Sequence, residues 1–249
     1  MPRFFIDKSD ISENRITIFG EDAKHLLLSL RAKPGESYTL CDSCGTDFLC
    51  TLAYADKASA TFDILKALPN LSEPNAQVTL YMALVKSDKL ETVIQKSVEL
   101  GVNRIVPVLT KRCVSRPDEK SMLSKLERWN KISKEAAGQS GRGIIPKVSE
   151  LLDTDRAFEA MKKSDVSFIC YENENKLSLK ELLNSHSTKK SPKTFSFMVG
   201  PEGGFEESET QKARDMGICS VSLGKRILRA ETAPLCVLSA IMFSTGNLG

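Results

Sequence analysis

The sequence predicts an α/β protein with a small N-terminal β domain and a larger C-terminal domain built on a mostly parallel sheet. Short strand-like segments with turns between them fill the chain up to about residue 68. The stretch PNLSEPNA, residues 69–76, has two prolines and no periodicity, as in a linker. Strand-like and helix-like segments then alternate to the end of the chain. We therefore expect one domain over residues 1–70 and a second over residues 77–249.

The N-terminal segments RITIF, SYTLC, DFLCTLAYA and SATFDILKAL are separated by Pro-Gly, Cys-Gly and Asp-Lys turns. Runs of β-branched and aromatic residues between such turns are typical of strands. They predict a small β-barrel or sheet.

After the linker, segments with the hydrophobic period of a strand alternate with segments that have the period of a helix. The apolar segment VTLYMALV precedes SDKLETVIQKSVELG, whose apolar residues share one helical face. These residues are Leu90, Val93, Ile94 and Val98. Amphipathic helices are also predicted from Lys120 to Ala137 and over LLDTDRAFEAMKK, residues 151–163.

The remaining segments continue the alternation. Strands VSFICY, TFSFMVG and CSVSL alternate with helices SLKELLN, ESETQKARDMG and APLCVLSAIMF. This order predicts a parallel sheet that is covered on both faces. Ligands of such sheets bind at the carboxyl ends of the strands.

Composition favours a globular protein without membrane or metal. The start, MPRFFIDKSD, lacks the apolar run of a signal peptide, and we expect a cytoplasmic protein. A net charge of +3 is too small to indicate a nucleic-acid partner by itself. The seven cysteines are expected to be reduced thiols. Cys41 and Cys44 lack the second close pair of a structural zinc site, so we expect no metal.

Two stretches suggest a ligand site. The strand TFSFMV ends in Gly-Pro-Glu-Gly-Gly, residues 200–204, which serves either as a plain turn or as a place where the backbone approaches a ligand. The second stretch, SLGKRILRAETAP, carries three cations and a carboxylate between two apolar elements. Ile227 and Leu228 are too apolar for a fully solvated loop, so they either pack into the core or line a pocket.

These stretches carry a resemblance to a known family. MVGPEGGF and SLGKRILRAETAPL, with IQKSVELGVNRIVPVLTKR and EAAGQSGRGIIPKV upstream, resemble the RsmE-type ribosomal RNA uridine methyltransferases of the SPOUT superfamily. MPRFF and HLLLSLRAKPGE match as well, so the resemblance covers the whole chain. It implies a PUA-like, RNA-binding N-terminal β-barrel, a C-terminal α/β methyltransferase domain with a trefoil knot, a homodimer, and S-adenosylmethionine as cofactor.

The resemblance also implies a set of cofactor contacts around the two stretches. The expected cofactor-binding residues are Met198, Gly200, Pro201, Glu202, Gly203, Gly204, Leu223, Gly224, Ile227 and Leu228. The glycines would allow close approach of the backbone, and the apolar side chains would form walls against the adenine.

The implied reaction is methylation of nitrogen 3 of a uridine in small-subunit (16S) ribosomal RNA. This nitrogen must lose its proton before it is a good nucleophile, and negative charge then spreads to the carbonyl oxygens. We expect Arg229 to stabilise that charge and either Glu231 or Glu202 to accept the proton. An alternative stays open for each role. Glu202 could be only a turn or helix-start carboxylate. Arg229 could form an ion pair with Glu231 that only holds the shape of the loop.

Dispersed cations are expected to hold the RNA, either free or in the assembled small subunit. The predicted RNA-binding residues are Arg3, Arg31, Arg112, Gln139 and Arg142, of which the last two lie in the family-like stretch GQSGRG. For each of them, ordinary surface charge or polarity is the alternative. A ribosomal RNA-binding protein with a degenerate methyltransferase pocket is the competing function. A dinucleotide-dependent oxidoreductase is disfavoured because neither G-x-G-x-x-G nor G-x-x-x-x-G-K-[ST] occurs.

Overall fold

The computed structural model describes residues 3–186 and 193–248, which form two compact units. The N-terminal unit contains the chain through Glu73 together with Ala137–Ile145, and the C-terminal unit contains Pro74–Ala136 and the chain from Pro146 onward. This division differs from the single cut predicted in the linker. Residues 137–145, expected in the second domain, belong to the N-terminal unit because Glu73 and Asn70 bind them directly.

The N-terminal unit is built on one six-stranded sheet. Its strands are β1 (Arg3–Phe5), β2 (Ile11–Ser12), β3 (Arg15–Phe19), β4 (Ser37–Cys41), β5 (Thr46–Ala55) and β6 (Ser59–Pro69). Their order is β1-β4-β5-β6-β3-β2, and all neighbours are antiparallel except β1 and β4. A short helix, α1 (Gly20–Lys24), continues as a π-helical turn over His25–Ser29.

A buried polar cluster joins residues 137–145 to the rest of the N-terminal unit. Arg142 has only 3% of its surface exposed, and its Nη2 lies 2.6 Å from Oε2 of Glu73. The other oxygen of Glu73 accepts the backbone N–H groups of Gly143 at 2.9 Å and Ile144 at 3.2 Å. Because a buried charge is tolerated only when it is paired and hydrogen-bonded, Glu73 fixes this segment.

Arg3 completes the same cluster from the first strand. Its guanidinium donates two hydrogen bonds of 2.8 Å to the carboxylate of Asp47 and one of 2.9 Å to the carbonyl oxygen of Arg142. Arg3 and Arg142, both predicted to contact RNA, thus have their guanidinium groups engaged inside the N-terminal unit.

We predict that Glu73→Ala lowers the free energy of unfolding of the N-terminal unit by about 3 kcal/mol, because it leaves the buried Arg142 charge without this partner. Amide exchange at Gly143 and Ile144 should become faster, since both amides lose their acceptor. The matched control is Asp63→Ala, whose ion pair with Arg15 is solvent-exposed and should contribute less than about 1 kcal/mol. Equal effects of the two substitutions would contradict the structural role of Glu73.

The C-terminal unit contains the other strands and helices. Its strands are β7 (Gln77–Ala83), β8 (Arg104–Leu109), β9 (Lys147–Val148), β10 (Leu152–Asp153), β11 (Val166–Cys170), β12 (Thr194–Val199) and β13 (Cys219–Val221). Its helices are α2 (Ser87–Glu99), α4 (Thr154–Met161), α5 (Leu179–His186), α6 (Glu207–Asp215) and α7 (Ala233–Ser244). Helix α3 (Glu119–Gln139) starts in this unit and ends in residues of the N-terminal unit.

All strand pairs of the C-terminal sheet are parallel, in the order β10-β8-β7-β12-β11-β13, with β9 also beside β8. Strand β12 lies in the middle, and its residues are buried on both faces apart from partly buried Thr194. The parallel α/β sheet predicted from the alternating pattern is confirmed. Leu152 and Asp153, predicted as helix, instead extend along β8, and the Asp153 side chain caps the start of α4.

Candidate active site

Three neighbouring strands of the C-terminal sheet end at the same level. Cys170, the last residue of β11, lies opposite Val199 of β12 on one side and Val221 of β13 on the other. The loops that follow surround a cavity of about 550 Å³. They are residues 171–178, residues 200–206, named here the glycine loop, and residues 222–232, named the basic loop. Lys89 of α2 and Ala233 of α7 complete the lining.

Two glycines of the glycine loop are constrained, one by its backbone conformation and one by a close aromatic ring. Gly204 has a left-handed backbone, with φ of +66°, and donates its N–H to the carbonyl oxygen of Pro201 at 2.9 Å. A Cβ atom at this position would overlap the carboxylate of Glu172 from the neighbouring loop. A Cβ atom at Gly200 would lie 3.2 Å from the ring of Phe205. The loop therefore folds tightly on itself and against the loop that follows β11.

Gly203 has a different environment. Its φ is outside the left-handed region, and an added Cβ would meet the Arg112 side chain at an ordinary distance of 3.5 Å. Nη1 of Arg112 donates a 2.9 Å hydrogen bond to the carbonyl oxygen of Gly203. Arg112, predicted to contact RNA, thus also holds the glycine loop, and its side chain is otherwise exposed.

Two carboxylates share one lysine: Glu202 lines the cavity, whereas Glu231, the other predicted proton acceptor, lies outside the lining. Nζ of Lys89 lies 3.2 Å from Oε1 of Glu202 in the glycine loop and 3.4 Å from Oε2 of Glu231 in the basic loop. Nη1 of Arg229 lies 4.0 Å from the other oxygen of Glu231, and the Arg229 side chain is 83% exposed. Lys89 is therefore the closer cation to Glu231.

These contacts change the proton affinities of the groups involved. Partial burial raises the pKa of Glu202, but hydrogen bonds from its own backbone N–H and from Lys89 outweigh this effect and lower the pKa overall. The pKa of Lys89 is raised, chiefly by its hydrogen bond to Glu202. The ion pair thus favours a protonated lysine beside an ionised carboxylate, which makes Glu202 a weaker base than a free glutamate.

The basic loop forms the opposite wall of the cavity. Gly224 has φ of +108°, a conformation that other residues adopt rarely. Leu223 and Leu228 are partly buried, whereas Ile227 is 86% exposed at the rim. The loop therefore presents two apolar side chains to the interior and a third to solvent.

The cavity brings together most of the predicted cofactor contacts. The lining includes Gly200, Pro201, Glu202, Gly203, Gly204, Leu223, Gly224, Ile227, Leu228 and Arg229. Met198 does not line it, because β12 is covered on both faces and this side chain is fully buried in the core. Its neighbour Val199 lines the cavity instead. Of the predicted RNA contacts, Arg31, Arg112 and Gln139 are exposed.

The sequence reasoning missed Lys89 and the residues that follow β11. A signal existed for Lys89, because β7 is a parallel strand and the helix after it begins at the edge of the sheet where ligands bind. The adjacency of β7 and β12 in the sheet, however, had to be known first. Tyr171 and Glu172 follow the strand VSFIC in the same way.

Within residues 3–186 and 193–248, no group of three or more histidine, cysteine, aspartate or glutamate side chains is arranged to hold a metal ion. The same part of the chain contains no helix that combines the length and the apolar character needed to cross a bilayer.

The C-terminal unit therefore belongs to the class of parallel α/β domains that bind ligands in a cavity at the carboxyl ends of their strands. A family model described as RNA methyltransferase domain matches residues 72–242. The Bacillus subtilis protein named ribosomal RNA small subunit methyltransferase E is 33% identical over 98% of this chain and 97% of its own. The chain belongs to the ribosomal RNA small subunit methyltransferase E family.

Two solved structures are similar over nearly the whole chain. One is a ribosomal RNA small subunit methyltransferase E from Neisseria gonorrhoeae bound to S-adenosyl methionine, 33% identical, with a TM-score of 0.85 over 98% of this chain and 97% of that chain. The other is a Legionella pneumophila methyltransferase in complex with the bound cofactor SAM. It is 27% identical, with a TM-score of 0.86 over 97% of this chain and 96% of that chain.

Proposed function

We propose that this protein transfers a methyl group from S-adenosylmethionine to nitrogen 3 of a uridine in small-subunit (16S) ribosomal RNA. The observation that carries the proposal is the cavity of about 550 Å³ at the carboxyl ends of β11, β12 and β13, between the glycine loop and the basic loop. Its size is that of small-molecule sites. The names of the relatives and the cofactor in the two similar structures support the same function.

The residues at the cavity suit S-adenosylmethionine. Leu223 and Leu228 offer apolar contact for the adenine, and the glycine loop offers backbone groups that side chains do not obstruct. Glu202 and Glu231 place negative charge near a cofactor that carries a sulfonium. When bound, this cofactor supplies an electrophilic methyl group.

The protein has to help remove the proton from nitrogen 3 and stabilise the resulting anion. Arg229 lies at the cavity with an exposed guanidinium, where it can meet the carbonyl oxygens of an incoming uracil. Glu231 or Glu202 accepts the proton. Glu202 lines the cavity, whereas Glu231 lies outside its lining with 23% of its side chain exposed, so the two carboxylates differ in their access to a bound uridine.

We further propose that the N-terminal unit is a PUA-like RNA-binding barrel and that the C-terminal domain is of the SPOUT type with a trefoil knot. The mostly antiparallel six-stranded sheet of the N-terminal unit supports the first proposal. For the second, Ser222 pairs with residues 177–179, so the chain after β13 runs beside the loop that follows β11. The exposed residues Arg31, Arg112 and Gln139 are the proposed RNA contacts. The cytoplasm is the proposed compartment.

The protein is proposed to act as a homodimer. Helix α7 buries Val237, Leu238 and Ile241 against its own unit, while Cys236 and Phe243 face outward. Phe243 is 72% exposed, and such an apolar side chain on an apolar helix suits burial by a second copy.

Light scattering should therefore give a mass of about twice 27.5 kDa. Phe243→Glu should shift the protein towards monomers by placing a charge in the contact. Leu123→Glu is the control, because Leu123 is an exposed apolar residue on another helix, 60% exposed. A wild-type monomer that transfers methyl groups at nanomolar concentration would contradict the proposal.

Calorimetric titrations with S-adenosylmethionine and with a nicotinamide dinucleotide test the cofactor directly. We expect binding of the first and none of the second. Transfer of labelled methyl to small-subunit RNA separates an enzyme from the alternative, a ribosomal RNA-binding protein with a degenerate pocket. RNA binding without S-adenosylmethionine binding would favour that alternative.

A further inference from the structure

Lys89 connects the two loops that form the walls of the cavity. It lies in the first turn of α2, its Nζ contacts Glu202 of the glycine loop and Glu231 of the basic loop, and its side chain is 28% exposed. Helix α2 is held by apolar residues with no exposed surface, namely Leu90, Val93, Ile94 and Val98. The lysine therefore extends from a firmly packed helix to two loops whose shape has to be maintained.

The two ion pairs of Lys89 place its positive charge beside both carboxylates. Glu202 faces Lys89, the backbone N–H of Lys86 and its own backbone N–H. Glu231 faces Lys89 and Arg229. Two carboxylates that approach the same point repel each other, and without a cation between them one tends to hold a proton. A lysine between them offsets this repulsion and lowers the pKa of Glu202.

Arg229 is a poor substitute for Lys89 in this role. Its nearest approach to Glu231 is 4.0 Å, its side chain is 83% exposed, and it contacts only the basic loop among the ion pairs described above. Exposed pairs of this kind contribute little to stability.

We propose that Lys89 is a positioning residue for methyl transfer, which joins the glycine loop to the basic loop by pairing with both Glu202 and Glu231 beside bound S-adenosylmethionine. This inference rests on the proposed function. Lys89 acts through the two carboxylates and through the loops that carry them, and it takes no part in the transfer of the methyl group.

Lys89→Met and Lys89→Arg test the proposal. Lys89→Met keeps the length and apolar stem but removes the charge, and it should weaken S-adenosylmethionine binding by about tenfold, a free-energy change of about 1.4 kcal/mol. Lys89→Arg should restore most of the affinity. The control is Lys96→Met on the same helix, whose ion pair with Glu99 lies outside the cavity lining, and it should bind like the wild type.

The pH profile of the single-turnover rate is the readout that a purely structural role would not change. Lys89 lowers the pKa of Glu202, so its removal should raise the pKa of this carboxylate. The acid limb of the profile, measured from about pH 3.5 to about pH 7 because the ordinary pKa of a glutamate is about 4.3, should then move to higher pH in Lys89→Met and return in Lys89→Arg.

An unmoved acid limb in Lys89→Met would overturn the proposal, whether or not cofactor affinity falls, because the charge would then have no role in the reaction. Unchanged cofactor affinity in that variant would overturn the link between the two loops. Failure of the proposed function looks different, since the wild-type protein itself would then bind no S-adenosylmethionine or transfer no methyl group.

Discussion

Arg229→Ala is expected to lower the single-turnover rate of methyl transfer by roughly 100-fold or more, the scale seen when one preorganised donor is removed, and to leave S-adenosylmethionine affinity nearly unchanged. The side chain of Arg229 is 83% exposed, and its ion pair with Glu231 is long, at 4.0 Å, so this pair contributes little to the loop in the free protein. Its exposed donors can meet the uracil oxygens as charge develops on them.

Two comparisons make this prediction specific. Arg229→Lys should recover only part of the rate, because an ammonium group lacks the planar fork that spans two acceptors. Arg214→Ala removes an exposed cation from α6, away from the cavity lining, and should have a normal rate. A normal rate with weakened cofactor binding in Arg229→Ala would rule out the catalytic role and favour an ion pair that holds the loop.

Gly204→Val is expected to weaken S-adenosylmethionine binding by at least about tenfold. A β-branched residue resists the left-handed conformation that Gly204 adopts, with φ of +66°, at a cost of about 1–2 kcal/mol or more. The new side chain would also overlap the carboxylate of Glu172. The glycine loop must therefore change shape.

Gly203→Ala is the matched control, because a Cβ there makes only ordinary contacts with Arg112 and the φ is outside the left-handed region. It should bind the cofactor nearly as the wild type does. Calorimetry gives the dissociation constants, and circular dichroism checks that each variant is folded. Wild-type affinity in Gly204→Val would mean that the glycine loop does not bind the cofactor.

The sequence predicted the sheet and the edge that carries the cavity because these depend on local patterns. Strand TFSFMV reads as buried on both faces, and the glycine-rich turn follows it directly. A helix period after each strand then implies parallel strands, whose carboxyl ends share one edge. Gly204 could be singled out as part of a turn, and its left-handed φ accounts for the glycine, but its approach to Glu172 of a separate loop could not be predicted.

Contacts between distant parts of the chain account for what the sequence did not predict. Glu73 lies in a stretch that reads as a solvated linker, and only the fold brings it to the buried guanidinium of Arg142. Lys89 lies far along the chain from Glu231, and nothing in either segment indicates their contact. Charged residues have no periodic signal of their own, so a charge-rich motif such as GQSGRG reads equally well as an RNA contact or as an internal ion pair.

The central claim, methylation of uridine at nitrogen 3 in small-subunit ribosomal RNA, is tested most directly by mass mapping of that RNA from cells with and without the gene. The account predicts one methylated uridine that disappears without the gene and returns with the wild-type gene, but not with the gene that encodes Arg229→Ala. Identical uridine methylation in all of these cells would contradict it.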